Sequence, residues 1–412
     1  MVSYGMPMTN QTFYGLGIAP DILTLLDRMK FVHPTPIQFK AIPIGMEGKD
    51  IMGIAQTGTG KTLAFAIPMI QRLAQTGGRG LILVPTRELA LQVDEVYQKF
   101  RSLTGSGMAV LIGGASMVNQ IRSLRKNPRI LVATPGRLID HLEQRNVRLD
   151  DVKILVLDEA DRMLDMGFAP QISRILAKVP RERQTMLFSA TIPQDIMRLA
   201  SQYMKLPVSV EIARSGTAAE KVVQELYIVR GEDKKLLLEK ILYQYHGSVL
   251  LFCRTKHGAS KIVRGIKDLG HAAAEIHSNR SLAQRREALD GFKSGKYRVL
   301  VATDIAARGI DVRGIELVLN YDLPDDASNY VHRIGRTGRA GHEGRAISFA
   351  MPDQGSDVRA IEKVMRAVLP VSKHPEVPSS EFYSWQTPKP LPTGFVGRGM
   401  STRGRRRPFG RR

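Results

Sequence analysis

The stretch "DIMGIAQTGTGKTLAF", residues 50 to 65, joins a short apolar run, a glycine-rich turn and a helical pattern. This order of strand, turn and helix is typical of a βα unit in a parallel sheet. Gly58 and Gly60 would let backbone N–H groups converge on phosphate oxygens, and a helix that begins near Lys61 would direct its positive dipole end towards them. The stretch therefore predicts an α/β fold with a phosphate-binding loop.

Two side chains at the end of this loop carry the expected chemistry. Lys61 would reach the β and γ phosphates of a nucleotide, and the Thr62 hydroxyl would bind Mg²⁺. The general pattern G-x-x-x-x-G-K-[ST] is missed at one position, where Ala55 replaces the first glycine. A plain strand-to-helix connection is the alternative interpretation, and the Gly-Lys-Thr sequence in this context argues against it.

A second stretch, "KILVLDEADRML" at residues 153 to 164, places three acids directly after an apolar run. Ligands of open α/β sheets bind at the carboxyl ends of strands, so the acids indicate a site. Asp158 would supply the hard oxygen ligand that Mg²⁺ on a nucleotide needs. Glu159 would orient and deprotonate the attacking water. The alternative, first-turn acids of an ordinary helix, accounts well for Asp161.

Charge and composition indicate the kind of partner. The chain has 412 residues, 60 Lys and Arg against 39 Asp and Glu, and a formal net charge of +21. Such an excess predicts a polyanionic partner, either nucleic acid or an anionic membrane surface. Nucleic acid is favoured because no apolar run approaches about 18 residues and the first residues lack a signal-peptide pattern. The single cysteine, Cys253, excludes an internal disulfide and a multi-cysteine zinc site, and favours a cytoplasmic setting.

The two halves of the chain repeat one another. "LILVPTRELA" from Leu81 is similar to "VLLFCRTKHGA" from Val249, 168 positions later. "RILVATPGRLID" from Arg129 is similar to "RVLVATDIAARGID" from Arg298, 169 positions later. Two matches at nearly the same offset predict two similar α/β domains in tandem, whereas unrelated Val-rich strands would seldom keep one offset.

The expected boundaries follow from composition. Residues 1–212 form the first domain, the small and polar "ARSGTAAE" at 213–220 is a linker, and 221–370 form the second domain. Residues 371–412 form a Pro- and Arg-rich tail that ends in "GRGMSTRGRRRPFGRR", with seven arginines and no acid. We expect this tail to be a disordered basic arm.

The second half has no Gly-Lys-Thr, so a different contribution is expected from it. In "YVHRIGRTGRAG", Arg333, Arg336 and Arg339 are spaced by three, which places at least some of them on a common face. A cation on the γ-phosphate is the part that phosphoryl transfer still lacks. A solvated basic helix is the alternative interpretation.

Together these motifs resemble the DEAD-box family of ATP-dependent RNA helicases over roughly residues 10 to 370, and most closely its bacterial RhlE-like branch. The resemblance implies two tandem RecA-like domains, each a mainly parallel sheet flanked by helices. "KFVHPTPIQ" at 30–38 is similar to the adenine-reading Q motif, although Lys30 replaces its usual glycine. "AQTGTGKT" is the family's form of the phosphate loop, and "DEAD" at 158–161 gives the family its name.

The resemblance also assigns residues to ATP, to Mg²⁺ and to catalysis. Phe31 would stack on the base, Gln38 would hydrogen-bond its edge, and Asp311 would bind the ribose. The "SAT" element with Ser189 and Thr191 would couple hydrolysis to RNA separation. Lys61, Asp158, Glu159 and the arginine fingers Arg336 and Arg339 would act on the triphosphate. The full set for the nucleotide is Phe13, Phe31, Gln38, Ala55, Gln56, Thr57, Gly58, Thr59, Gly60, Lys61, Thr62 and Asp311.

For RNA, the resemblance implies motifs in both domains, and Leu282 replaces the usual glutamine of the Q-x-x-R element that keeps Arg285. Gly, Thr and Arg beside strand ends would bind phosphates without reading sequence. The set expected to bind RNA is Pro85, Thr86, Arg87, Gly113, Gly114, Thr134, Pro135, Gly136, Arg137, Arg254, Thr255, Arg285, Thr303 and Asp304.

The expected function is RNA-stimulated ATP hydrolysis that closes and reopens the two domains and separates RNA duplexes locally. Two alternatives stay open: a DNA-directed superfamily 2 helicase, and an RNA clamp or scaffold that does not turn over. The expected partner is single-stranded or duplex RNA with little sequence preference. Ribosomal precursors and RNA-decay complexes are further candidates, and we expect a monomer with no membrane association.

Overall fold

The computed structural model describes residues 11–56, 58–104, 107–212, 222–307, 312, 314–338 and 344–383. Thr57, Asp311 and Arg339, the expected linker 213–220 and the arginine-rich end of the chain lie outside the described residues. Within the described part, two seven-stranded sheets carry the fold, and every strand pairing in them is parallel.

The first sheet has the strand order β3-β4-β2-β5-β6-β1-β7. Its strands are β1 (Ile51–Ile54), β2 (Arg79–Leu83), β3 (Met108–Leu111), β4 (Ile130–Ala133), β5 (Val152–Leu157), β6 (Gln184–Ser189) and β7 (Val208–Glu211). The accompanying helices are α1 (Pro20–Arg28), α2 (Pro36–Met46), α3 (Lys61–Thr76), α4 (Arg87–Gln98), α5 (Arg101–Thr104), α6 (Met117–Leu124), α7 (Pro135–Glu143), α8 (Ala160–Asp165), α9 (Ala169–Leu176) and α10 (Gln194–Tyr203).

The second sheet has the order β10-β11-β9-β12-β13-β8-β14. Its strands are β8 (Val222–Ile228), β9 (Val249–Phe252), β10 (Ala273–Ile276), β11 (Val299–Ala302), β12 (Leu317–Asn320), β13 (Gly344–Ala350) and β14 (Val371–Ser372). Its helices are α11 (Lys234–Gln244), α12 (Lys256–Asp268), α13 (Leu282–Lys293), α14 (Asp304–Ala307), α15 (Ala327–Ile334) and α16 (Gly355–Met365).

The central strands are almost entirely apolar, because helices cover both faces of each sheet. In β5, Ile154 and Val156 pack into one core cluster, while Leu155 and Leu157 pack into the cluster on the opposite face. When both faces of a strand are buried, its side chains on either face are apolar, and this is typical of parallel sheets flanked by helices. The expected fold class of two tandem RecA-like α/β domains is confirmed.

The internal repeat is also visible in helix capping. Thr86 starts α4, and its side chain accepts a hydrogen bond from Leu89 N. Thr255, 169 positions later, starts α12 and accepts one from Gly258 N. Both threonines follow strands that occupy the third place in their sheets, β2 and β9. The same sequence signal therefore begins the corresponding helix in each half.

The expected start of the tail at residue 371 is too early. Strand β14 pairs with β8, and the Leu226 amide donates to the Pro370 carbonyl at 2.8 Å. Beyond this strand, Val377 is buried in the second domain's core, and Ser380 N donates to Ile228 O. These backbone hydrogen bonds and this apolar contact extend the folded part past the boundary that composition indicated.

Candidate active site and nucleic-acid surface

The phosphate loop, the acids and the Ser-Ala-Thr element meet because β1, β6 and β5 are neighbours in the first sheet. Their carboxyl ends lie at one edge, where ligands of open parallel sheets bind. Ala55 N donates to Ser189 O at 2.9 Å, and Asp158 N donates to Leu83 O at 3.0 Å. Three motifs that are far apart in sequence therefore share one edge.

The phosphate loop requires glycine where it turns. Gly58 and Gly60 have φ of 84° and 90°, in the left-handed region that favours glycine. A Cβ on Gly60 would lie 2.4 Å from Gln38 Nε2. Gln38 Nε2 donates to Gly60 O at 3.0 Å, and Gln38 Oε1 accepts from Thr35 N at 2.9 Å. The structure thus connects the Q motif directly to the loop.

The aromatic residues of the expected base site lie at the edge of the same domain. Phe31 is half-buried and packs against the first core cluster. Phe13 is fully buried in that cluster, so it acts as a packing residue. Lys30, the residue in the usual glycine position, has φ of 60°. This left-handed conformation gives the physical reason for glycine there, since Lys30 follows the end of α1.

Lys61 is a buried ammonium group without a hydrogen-bond acceptor among the described residues. Its residue is 5% exposed, and Nζ lies 3.8 Å from Asp158 Oδ1, a long ion-pair distance. A buried cation without hydrogen bonds is unfavourable, so the site is suited to an anion that Lys61 would contact. Phosphate oxygens held by the adjacent loop amides meet that requirement.

The two leading acids differ in electrostatics. Burial raises the pKa of Asp158 to about 6, although nearby Lys61 opposes the shift. Glu159 is equally buried, but Arg162, Lys61 and Arg336 together outweigh burial and lower its pKa to about 2. The Arg162 guanidinium donates to Glu159 Oε2 at 2.6 Å. Glu159 is thus an ionised carboxylate that Arg162 holds in place, whereas the pKa of Asp158, about 6, lies near neutral pH.

Asp161 forms the link to the Ser-Ala-Thr element. Its Oδ2 accepts from Ala190 N at 3.0 Å, Thr191 N at 2.9 Å and Thr191 Oγ1 at 3.0 Å. Ser189 Oγ donates to Thr191 O at 2.7 Å. These bonds mean that Asp161 does more than begin a helix: it holds the element that follows β6 against the acids that follow β5.

The second domain brings Arg336 to these acids. Arg336 is buried and its positive charge lowers the pKa of Glu159, which belongs to the first domain. His332 lines the same small cavity as Arg336, and burial lowers its pKa to about 4, with Arg162 acting in the same direction. Arg333, the first of the three spaced arginines, has a different position. It donates to both carboxylate oxygens of Asp304, at 2.6 and 2.7 Å.

A cavity of 310 Å³ lies beside this site and is lined by both domains. Its wall includes eight of the residues expected to bind RNA, which the structure brings together: Pro85, Thr86, Arg87, Gly113, Thr134, Gly136, Arg137 and Arg285. Gly114 adjoins this wall, since a Cβ there would lie 2.2 Å from Arg87 Nη1. Pro135 begins α7 beside Thr134 and Gly136.

The remaining expected RNA residues are not part of this wall. Arg254 Nε lies 3.1 Å from Asp325 Oδ1, and Thr255 caps α12. Thr303 precedes α14, and Asp304 is held by Arg333. These residues surround the carboxyl ends of β9 and β11 in the second domain.

Three residues near the site escaped the sequence reasoning. Arg162 positions Glu159, and its i,i+3 spacing in the helix was the available signal. Glu88 forms an interdomain ion pair with Arg285 at 2.7 Å, and it lies inside the "PTREL" motif without a separate signal. His332 lines one small cavity together with Arg162 and Arg336, and no periodicity in the sequence indicated it.

The donor set fits a nucleotide-bound Mg²⁺. Thr62 and Asp158 follow the loop and β5, and both side chains offer oxygen atoms. Among the described residues, no group of three or more His, Cys, Asp or Glu forms a metal site by itself. Mg²⁺ with phosphates commonly takes one or two protein carboxylates, so this donor set is sufficient for the role. No helix in the described residues is long and apolar enough to cross a membrane.

Comparison with known proteins gives the family. The family model "DEAD/DEAH box helicase" matches residues 35–199, and "Helicase conserved C-terminal domain" matches residues 233–341. The ATP-dependent RNA helicase CshA of Listeria monocytogenes is 45% identical over 357 residues, covering 86% of this chain and 69% of the relative. The ATP-dependent rRNA helicase RRP3 of Debaryomyces hansenii is 42% identical, covering 89% of this chain and 77% of the relative.

A solved structure agrees with these relatives. S. cerevisiae Dbp5 bound to RNA and ADP BeF3 matches with a TM-score of 0.78 and 31% identity, covering 88% of this chain and 95% of that one. The two family models match one range in each domain, and these ranges include the phosphate loop, the acids at 158–161 and Arg336. The chain belongs to the DEAD-box RNA helicase family.

Proposed function

We propose that this protein is an ATP-dependent RNA helicase in which RNA-stimulated ATP hydrolysis closes and reopens two domains. The observation that carries the proposal is the small cavity that Arg162 of the first domain and Arg336 of the second line together, beside Glu159, which accepts a hydrogen bond from Arg162. The charge of Arg336 also lowers the pKa of Glu159. A phosphate pocket that needs a cation from the other domain works only when the domains close. Hydrolysis is thereby coupled to closure.

Each residue of the nucleotide pocket has a distinct proposed role. Lys61 neutralises the β and γ phosphates, the loop amides from Gly58 to Gly60 hold them, and Phe31 and Gln38 bind the adenine. Thr62 and Asp158 hold Mg²⁺, which would neutralise charge that develops on the phosphate oxygens. Glu159 orients the attacking water and accepts its proton, and Arg336 with Arg339 stabilises the transferring group.

The RNA would lie along the two-domain wall that contains Arg87, Arg137 and Arg285. Backbone amides, hydroxyls and guanidinium groups bind phosphates there, so affinity depends little on base sequence. Closure would bend one RNA strand away from duplex geometry, because the two domains that form the wall approach each other and shift the phosphates that each of them binds. Asp161 and Thr191 transmit the change, since their hydrogen bonds connect the acids to the segment after β6.

The names of the relatives favour RNA over DNA, because CshA and RRP3 are both named RNA helicases. Stimulation of ATP hydrolysis by RNA and by DNA of the same sequence tests this choice. A larger stimulation by RNA is expected, and preference for DNA would contradict the proposal. The RhlE-like branch is not favoured by these relatives, since CshA belongs to a different branch.

A clamp that does not turn over is the remaining alternative, and Glu159→Gln tests it. The variant should bind ATP and RNA normally and lose at least roughly 10²-fold in hydrolysis, because the carboxylate that accepts the proton is absent. Glu143→Gln is the matched control, since Glu143 is an exposed residue paired with Arg174 on the surface. Unchanged turnover in Glu159→Gln would exclude Glu159 as the base.

Other features remain part of the proposal. We expect a cytoplasmic monomer that acts on single-stranded and duplex RNA, with ribosomal precursors or RNA-decay complexes as physiological targets. The domain boundaries proposed are the linker 213–220 between the sheets and an arm that begins after the last contacts of the second domain. Crosslinking in cells followed by sequencing of the bound RNA would identify the targets.

A further inference from the structure

A group of basic side chains lies at the amino-terminal edge of the first sheet, opposite the nucleotide and RNA cleft. We call it the basic rim, and it consists of Arg79, Arg101, Arg125, Lys126, Arg145 and Arg148. Arg79 begins β2, while the "PTREL" motif follows the other end of that strand. Five strand residues at about 3.3 Å each separate the two edges by roughly 15 Å or more.

Two cavities lie along the rim. One, of 180 Å³, is lined by Arg101 and Lys126. The other, of 430 Å³, is lined by Arg79, Arg145 and Arg148. Arg79 Nη2 donates a hydrogen bond of 2.6 Å to Oδ1 of Asn127, the residue after Lys126, so residues of the second cavity lie close to those of the first. Five of the six basic residues therefore line one of two neighbouring cavities, and Arg125 adjoins Lys126 in the chain.

Only part of this charge is neutralised within the protein. Arg79 Nε lies 3.3 Å from Asp151 Oδ2, and Arg148 Nε lies 2.7 Å from Asp150 Oδ2. Among the described residues, Arg125, Lys126 and Arg145 are exposed and form no ion pair.

Stabilisation of nearby helix ends explains some of these basic residues, but it does not explain why all six lie at the same edge of the sheet. Arg125 and Arg145 each follow a helix, where a positive charge interacts favourably with the helix dipole. That reason does not apply to Arg79, at the start of a strand, or to Arg148, in a loop. Arg145 also has φ of 56°, a conformation that glycine adopts at lower cost.

The composition of the rim indicates its partner. Five of its six residues are arginine, whose planar guanidinium binds phosphate oxygens in pairs. An anionic membrane is less suitable, because membrane-surface binding also requires exposed large apolar side chains. Among the described residues, none of the exposed large hydrophobic side chains lines either of the two cavities of the rim.

We propose that the basic rim is a second RNA-binding surface, which holds the phosphate backbone of RNA that extends beyond the cleft. The proposal rests on the proposed function in that RNA is the substrate of the same protein. A second contact outside the cleft would keep the enzyme attached to a structured RNA while the two domains open. RNA too short to leave the cleft would not touch the rim.

The test removes three charges from the rim in the full-length protein, with Arg125→Gln, Lys126→Gln and Arg145→Gln combined. The matched control removes three exposed charges from α12 with Lys261→Gln, Arg264→Gln and Lys267→Gln. Both variants are compared with the wild type for binding to an RNA of about 10 nucleotides and one of about 40 nucleotides containing a stem. ATP hydrolysis with the short RNA is measured in parallel.

The rim variant should bind the long RNA roughly tenfold more weakly at low salt, and the slope of log affinity against log salt should be shallower by about 2. Its short-RNA affinity and short-RNA-stimulated hydrolysis should equal those of the wild type. Equal long-RNA affinity in the rim variant and wild type, or equal losses in the rim and control variants, would overturn the proposal.

Two further outcomes distinguish this proposal from a membrane-binding surface and from failure of the proposed helicase function. Loss of binding to phosphatidylglycerol vesicles without any loss of RNA binding would overturn it in favour of a membrane surface. Absence of RNA stimulation in the wild type would overturn the proposed helicase function instead, because the rim plays no part in the cleft. Identical thermal unfolding of the variants would show that the exposed substitutions leave the fold intact.

Discussion

Arg285 Nη2 lies 2.7 Å from Glu88 Oε1 and joins α13 of the second domain to α4 of the first. Both side chains are buried, and burial raises the pKa of Glu88 while Arg285 acts in the opposite direction. One turn earlier, Leu282 packs against the core cluster of the first domain. An ion pair and an apolar contact therefore join the two domains beside the cavity that is lined by the residues expected to bind RNA.

Glu88→Gln and Arg285→Gln should each raise the RNA concentration needed for half-maximal ATP hydrolysis, by roughly tenfold, because closure loses its buried ion pair. The double variant should be no worse than the single variants, with a coupling energy of about 1 kcal/mol or more. RNA titrations of all four proteins measure this. If Arg285 acted on RNA alone, Glu88→Gln would behave like the wild type.

The pH dependence of stability should report Asp158. Burial raises its pKa from 3.8 to about 6, so the folded protein binds this proton more tightly than the unfolded chain does. The contribution of Asp158 to stability therefore falls as pH rises from about 4 to 6, and the loss stays in place above that range. We expect Asp158→Asn to be more stable than the wild type at pH 7 without nucleotide, and the difference to shrink at pH 5.

Thermal or denaturant unfolding at these two pH values measures the difference. Glu159 has the opposite sign, since its lowered pKa of about 2 means that its stabilising contribution is lost only as pH falls below about 4.5. A stability difference between Asp158→Asn and the wild type that stays constant from pH 5 to pH 7 would disagree with the electrostatics described for this site.

Lys30→Gly should stabilise the first domain by up to about 1 kcal/mol. Lys30 has φ of 60°, and a left-handed residue other than glycine is strained by about 1 to 2 kcal/mol, partly offset by the greater chain entropy of glycine when unfolded. Urea unfolding measures the change. Lys40→Gly, in the interior of α2, is the matched control and should destabilise by about 1 kcal/mol. Destabilisation by Lys30→Gly would contradict the strain argument.

Sequence reasoning located those parts of the site that depend on one chain segment. The glycines, Lys61 and the acids follow apolar runs whose ends the pattern marks, so their place at the strand ends could be predicted. The repeat at an offset near 169 residues predicted the second domain in the same way. Such signals are local, and the rules for parallel sheets then bring the segments together.

The residues that sequence reasoning missed depend on tertiary contacts. Arg333 shares its spacing with Arg336, yet it is bound to Asp304, and only the packing of α15 against β12 and α14 separates the two roles. The Glu88–Arg285 pair joins positions that are 197 residues apart. The sequence did not indicate the folded segment around Val377 and Ser380, because a proline-rich composition predicts disorder even where a short strand pairs.

Deletion of residues 391–412 should weaken RNA binding and reduce its salt dependence. This segment contains seven arginines, and at about 0.7 per phosphate contact the slope of log affinity against log salt should change by at most about 5. Titrations at several salt concentrations give the slope. Unchanged affinity at low salt would instead make the arm a protein-docking or solubilising segment.

The central claim is that cationic side chains from the second domain complete a phosphate pocket in the first. RNA-stimulated kcat of Arg336→Gln tests it most directly, with ATP binding measured separately and Arg264→Gln, on the outer face of α12, as the control. The account predicts a loss of roughly 10³-fold or more in kcat with ATP still bound. A kcat equal to that of the wild type would contradict it.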